Sequence, residues 1–380
     1  MSTGADLQTV LAQFLPRYRQ AHALSPREAE VCTHLGLCRT AALGELPRRC
    51  DQCGYREPLY GSCRDRHCPK CQWRASQAWC AQQCQSVLPV TYYHLVFTVP
   101  HALNGWVALH PGVIYRLFFK VVWATLKAFG SDPKRLGGQL GATLVLHTWG
   151  QQLTRHVHIH CLVPGGALRA DGQWQGARGS YLFPNRALAR CVRGKLVSEL
   201  RRAAQRGELY RVTRPGEVDE LLDQLIGMDW VVYTKPWLKA PETVVAYLAR
   251  YTHRIAISDA RITTITERTV TISYKDYQDH DRWKTLSLAG EELIRRYLLH
   301  VLPKGLMRVR HYGFLSNRCR RQRLGEIRAA LNQPPHSEPA PASVEPPGWP
   351  CPRCRHGRLR IVPPVLAKAP LSGPERLDGY

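Results

Sequence analysis

A chain of 380 residues is long enough to bury at least one full core, and 53 lysines and arginines against 29 aspartates and glutamates leave it at +24. So large a positive balance points to a polyanion, most often nucleic acid. The most apolar long run, YRLFFKVVWATLKAF, is interrupted by Lys120 and Lys127, which excludes a bilayer span and with it a membrane partner.

The first twenty residues mix Asp6, Gln8, Gln13, Arg17 and Arg19 among apolar positions and do not spell a secretory signal, so the expectation is a cytoplasmic protein. In that compartment fourteen cysteines are read for metal binding or burial, not for disulfides. Nine of them fall between Cys32 and Cys84. Within that stretch CDQC (Cys50, Cys53) and CPKC (Cys68, Cys71) are two C-x2-C knuckles at a spacing close to a zinc ribbon, and their four thiolates complete one tetrahedron. Cys63 and His67, in SCRDRHCPKC, could replace a ligand or serve a second ion, while Cys32, Cys38, Cys80 and Cys84 read as buried thiols. Arginines crowd this segment (Arg48, Arg49, Arg56, Arg64, Arg66 and Arg74), which favours contact with phosphate.

From about Val87 the apolar runs lengthen. TYYHLVFTVP (91–100) reads as a buried strand and the region around 106–130 as helical; GATLVLHTWG (141–150) and RHVHIHCLVPGG (155–166) then form a hairpin. In period two, His156, His158 and His160 share one face, with Val157, Ile159 and Cys161 on the other. Clustered imidazoles repel when protonated and are common metal ligands when neutral, so a metal site is the stronger reading. Cupins also use H-x-H, but they follow it with a glutamate that CLVPGG lacks.

APETVVAYLARYTHRIAIS (240–258) reads as a helix in which Tyr247 and Tyr251 sit one turn apart, beside a second pair, Arg250 and Arg254. A phenol is a poor nucleophile at neutral pH. A metal that withdraws charge from a phosphodiester makes its attack feasible, and the resulting ester conserves the energy of the broken bond, so that strands can be rejoined without ATP. In this scheme His158 and His160 supply two ligands. His156, His147, His94 and Gln151 are candidates for a third, and His156 is nearest on the same face.

Further on, the arginine-rich run from Arg308 to Arg323, with Arg310 and Arg318, suits contact with backbone phosphates. Seven of the seventeen residues from Pro334 to Pro350 are proline and read as a linker. CPRC (Cys351, Cys354) is then half a zinc knuckle, which is either metal-free or completed by His356, Cys319 or another chain.

HVHIHCLVPGG followed by YLARYTHR, behind SCRDRHCPKCQ and ahead of VLPKGLMRVRHYGFLSNR, resembles the HUH two-tyrosine rolling-circle transposases of the insertion-sequence-ninety-one family. The resemblance implies an α+β fold: an HUH antiparallel sheet flanked by helices, preceded by a small zinc-ribbon-like domain. It implies a zinc-binding domain with an N-terminal helix at 1–86, a catalytic domain at 87–325, and a proline-rich linker and basic tail at 326–380. By the same resemblance His158 and His160 bind a catalytic Mg²⁺ or Mn²⁺, Tyr247 and Tyr251 are paired nucleophiles, and Zn²⁺ is structural. Two imidazoles suit Mn²⁺ better than Mg²⁺. The implied substrate is single-stranded DNA at the element's ends and at its target, in a bacterial, nucleoid-associated setting, with a homo-oligomer left open. Two alternatives differ in class. An HUH replication initiator or relaxase-like nickase shares the active site, whereas a non-catalytic zinc-ribbon DNA-binding protein needs neither the histidine strand nor the tyrosine pair.

Overall fold

The structure is a computed structural model and describes residues 5–72, 83, 86–177, 182–237, 255–277, 279–333 and 348–362. The chain divides into two units, a larger one of residues 1–36 and 64–338 and a smaller one of residues 37–63 and 339–380. The N-terminal helices fall in the large unit, and the C-terminal segment falls in the same unit as the stretch around Cys50.

Along the chain the described elements are α1 (Leu7–Ala21), α2 (Pro26–Leu37), β1 (Glu45–Cys50), β2 (Arg56–Tyr60), β3 (Tyr92–Thr98), α3 (Asn104–Leu109), α4 (Pro111–Ser131), β4 (Gly141–Trp149), β5 (Arg155–Pro164), β6 (Gly166–Leu168) and β7 (Trp174–Gly176). They continue with α5 (Asn185–Gln205), α6 (Glu217–Gly227), β8 (Val232–Trp237), β9 (Ile262–Ile265), β10 (Thr269–Asp276), β11 (Arg282–Ala289), α7 (Gly290–Leu298), β12 (Val309–Gly313), α8 (Arg320–Ala330), β13 (Trp349–Pro350) and β14 (Arg358–Ile361). Helices beside antiparallel sheets make the fold α+β, as expected. Among the described residues no helix is long and apolar enough to cross a membrane.

The large unit is organised around a five-stranded sheet in the order β12-β4-β5-β3-β8, antiparallel throughout. The expected hairpin is its centre: β4 pairs with β5 so that His147 faces His158 and Val145 faces His160. Period two sends Leu144, Leu146, Val157, Ile159 and Cys161 to one face, where all are buried. Helix α4 packs there. Its Trp123 ring stacks on Tyr312 of β12 at 5.0 Å, and Ile114, Leu117, Phe118, Val121, Val122 and Leu126 form its buried stripe at three- and four-residue spacing. Pro111 stands at the first helical position, where its missing N–H costs no hydrogen bond. α5 lies against α4 through Leu188, Val192, Leu196 and Leu200, one every fourth residue.

The turn between β4 and β5 is pinned from outside the hairpin. Leu153 takes a positive φ of 60° and its carbonyl accepts from Nε2–H of the buried His300 at 3.1 Å, which leaves the His300 Nδ1 to accept from the Thr148 hydroxyl at 3.2 Å. A second sheet, β11-β10-β9, leads into α7, whose first residue, Gly290, meets the Phe14 ring of α1 so closely that a Cβ has no room.

The small unit is a four-stranded sheet in the order β13-β14-β1-β2. β1 sits between partners from opposite ends of the chain, pairing Arg49 with Arg56 on one side and with Arg360 on the other.

Candidate functional site

The sheet face opposite α4 carries the histidines. His158 and His160 project from β5 at alternate positions, and His147, directly across from His158 on β4, brings a third imidazole to them. Nitrogens of the three rings all lie within 4.8 Å of one another. A β-bulge follows His147, and Trp149 beyond it stacks on the His147 ring at 4.3 Å. His147 and His158 are buried and His160 is half-buried, so the group is sheltered without being sealed.

Burial fixes the charge state of this face. It holds the His158 imidazole down at about 3, with the neighbouring His156 and His94 adding a smaller push in the same direction. His160 is likewise held well below the ordinary histidine value, first by burial and then by His147, His158 and His94. Both rings are neutral at physiological pH, as metal ligands must be. The backbone selects a tautomer too. His158 Nδ1–H donates to the His156 carbonyl at 2.9 Å, which leaves the lone pair on Nε2. His160 Nδ1 lies 2.8 Å from Nε2 of His94, and their rings stack at 5.1 Å, so His94 supports His160 from outside the trio.

Strand register brings one of the candidates for a third ligand to His158 and His160. His156 offers its carbonyl to His158, while its own ring turns to His101, with Nδ1 and Nε2 3.5 Å apart. Gln151 bonds the Tyr277 hydroxyl at 3.2 Å. His147, four residues before Gln151 and on the partner strand, completes the trio.

The cysteines regroup more sharply. Cys50, Cys53, Cys68 and Cys71 do not form one tetrahedron. Cys50 and Cys53 lie with Cys351 and Cys354 in the small unit, their four sulfurs within 4.8 Å of one another, whereas Cys68 and Cys71 belong to the large unit. His67 stands apart from that set. It is fully buried, its Nε2 accepting the Leu302 backbone N–H at 3.1 Å, so its Nδ1–H donates to Asp65 at 2.7 Å. With both nitrogens committed it is a structural residue.

Residues 10–99 match the family model described as "Transposase zinc-binding domain", and residues 141–323 match one described as "Putative transposase". A protein of Sinorhizobium fredii (strain NBRC 101917 / NGR234) named "Putative transposase y4qJ" is 38% identical over 382 aligned residues, covering 95% of each chain. The chain belongs to the insertion-sequence-ninety-one family of transposases. The "Transposase for insertion sequence element IS801" of Pseudomonas savastanoi pv. phaseolicola is 27% identical to this transposase over 319 residues, 80% of this chain and 74% of that one. No solved structure matches the transposase.

The basic residues expected to meet DNA fare unevenly in the transposase. Arg308 is buried at 7% exposure, and desolvation pushes its guanidinium down to about 9, so it is a core residue and not a surface contact. Arg310 lies over the Phe119 ring at 4.2 Å with Nε donating to the Met307 carbonyl, on the α4 side of the sheet, away from the histidines. Arg318 is exposed. Tyr247, Arg250, Tyr251 and Arg254 lie outside the described residues.

Proposed function

We propose that this transposase cleaves and rejoins single-stranded DNA at the ends of its mobile element through a 5′-phosphotyrosine intermediate, as a metal-dependent HUH enzyme of rolling-circle transposition. The observation that carries the reading is the trio of imidazoles, His147, His158 and His160, gathered on one sheet face, with the His158 Nδ1–H held by the His156 carbonyl. Three nitrogen donors fit Mn²⁺ better than Mg²⁺, and such an ion, when bound, withdraws charge from a phosphodiester. His147, His158 and His160 hold it, and His94 and the His156 carbonyl orient two of these rings. Tyr247 or Tyr251 attacks phosphorus, expels a 3′-hydroxyl and keeps the 5′-phosphate; a 3′-hydroxyl from another strand reverses the step. The four-residue spacing of the tyrosines in the sequence suits one holding a cleaved strand while the other makes a second cut. The surplus of basic residues concentrates the polyanionic substrate, in keeping with a bacterial nucleoid location.

Covalent trapping tests the proposal: purified protein, Mn²⁺ and labelled single-stranded oligonucleotides tiled across the DNA flanking the gene, with wild type beside Tyr247→Phe, Tyr251→Phe and the double variant. The expected result is a denaturant-resistant, metal-dependent adduct abolished only in the double variant. An adduct that persists in the double variant, or a fully folded DNA-binding protein that gives none on either strand, would sink the mechanism.

A further inference from the structure

We propose that Cys50, Cys53, Cys351 and Cys354 form a four-thiolate zinc site that clamps the C-terminal segment onto the N-terminal strands, so that the small unit folds only as a metal-bound whole. This goes beyond strand cleavage. The two family matches, at residues 10–99 and 141–323, both stop short of Cys351 and Cys354 and assign them nothing.

The sulfur geometry is the first support. A tetrahedron with zinc–sulfur bonds of about 2.3 Å has sulfur–sulfur edges of about 3.8 Å. Cys50 Sγ lies 3.8 Å from Cys354 Sγ, and Cys53 Sγ lies 3.7 Å from Cys351 Sγ, with all four sulfurs within 4.8 Å. A disulfide would need about 2.05 Å. Both short edges run between the knuckles, as a shared ion requires.

The backbone around the sulfurs is arranged for thiolates. Cys50 Sγ accepts N–H groups from Gln52 and Cys53, each at 3.5 Å, and Cys354 Sγ accepts that of Gly357 at 3.3 Å. Donors aimed at sulfur favour its ionised form. Gly357 also lets the second knuckle close onto the first, because a Cβ there would lie 2.5 Å from Cys50 Sγ and 2.8 Å from the Gln52 Cβ. Asp51 then fastens the two ends together: its backbone N–H donates to the Arg358 carbonyl at 3.1 Å, and its carboxylate accepts the Arg358 N–H at 2.8 Å.

Among the described residues the unit's core is small. Its buried apolar cluster consists of Cys50, Cys351 and Leu359, with Tyr55, Trp349 and Cys354 packed against it, and two of the three buried members are themselves the proposed ligands. So small a core does not offset the entropy of ordering the chain, and metal binding then supplies the folding free energy. Cys50 and Cys53 therefore complete the C-terminal knuckle, in place of His356, Cys319 or a second chain.

The test is zinc content, which is read without reference to DNA cleavage. Full-length protein is analysed by elemental mass spectrometry as wild type, Cys351→Ser/Cys354→Ser and Cys319→Ser. The expected result is one zinc equivalent fewer per chain in the double variant and none lost in Cys319→Ser. Hydrogen exchange should show residues 45–60 and 349–361 losing protection together, in the double variant and in chelator-treated wild type. Unchanged zinc in the double variant overturns the proposal. So does a metal content that rises with protein concentration alongside dimerisation, which would hand the knuckle to another chain.

Discussion

His300 offers a quantitative check on how the histidine face is held. Its ring is 1% exposed, spans the β4–β5 turn between Thr148 and Leu153, and is held at about 4 by burial, only partly countered by the hydrogen bond to the Leu153 carbonyl. The folded value lies below the unfolded value of about 6.5, so the unfolded chain binds protons more readily. The stability that neutral His300 contributes is complete above about pH 6.5 and is lost as the pH falls toward 4. Between pH 8 and pH 5 the linkage amounts to about 2 kcal/mol for this residue. His300→Gln keeps a polar side chain but cannot titrate. In urea unfolding of wild type and variant at pH 8 and pH 5, the stability gap between them should narrow by roughly 2 kcal/mol on acidification. A gap constant within about 0.5 kcal/mol would mean that His300 is not buried in neutral form and that the turn is held some other way.

Three other perturbations follow from particular contacts. His147→Ala should weaken Mn²⁺ binding by at least about tenfold in calorimetry while leaving zinc content unchanged, and an unaltered affinity would remove His147 from the ligand set. Asp65→Ala takes away the carboxylate that accepts both the backbone N–H of His67 at 2.8 Å and its Nδ1–H at 2.7 Å, and should cost about 2–3 kcal/mol, visible as a lower melting temperature. Gly313→Ala places a Cβ against the Leu140 carbonyl at a φ of +60° and should destabilise the β12–β4 pairing by more than about 1 kcal/mol, read as faster amide exchange in that pair.

Much of the five-stranded sheet was legible in the sequence. RHVHIHCLVP alternates so strictly that the imidazole face and its apolar back follow from period two, and the pairing with GATLVLHTW supplies the strand beside it. His147 was harder to pick from among the candidates, because strand register depends on the turn between the strands, and here a bulge follows His147. The grouping of the cysteines was not legible for a different reason. C-x2-C spacing identifies a knuckle but not its partner, and Cys53 meets Cys351 only through a pairing between strands from opposite ends of the chain. Nor does a run of arginines disclose which of them is interior: Arg308 and Arg318 look alike in sequence, yet one is buried and the other exposed.

The position of β1 has a practical consequence. Its hydrogen-bonding edges are taken by β2 and by β14, and Arg48, Arg49 and Cys50 have their partners at Ile361, Arg360 and Leu359. A fragment that stops before Trp349 uncovers a row of backbone amides and carbonyls along β1, an open edge of the kind that recruits strands from other molecules. Shortened products of this chain should therefore tend to self-associate and precipitate, and a fusion that burdens Arg358–Ile361 should do the same.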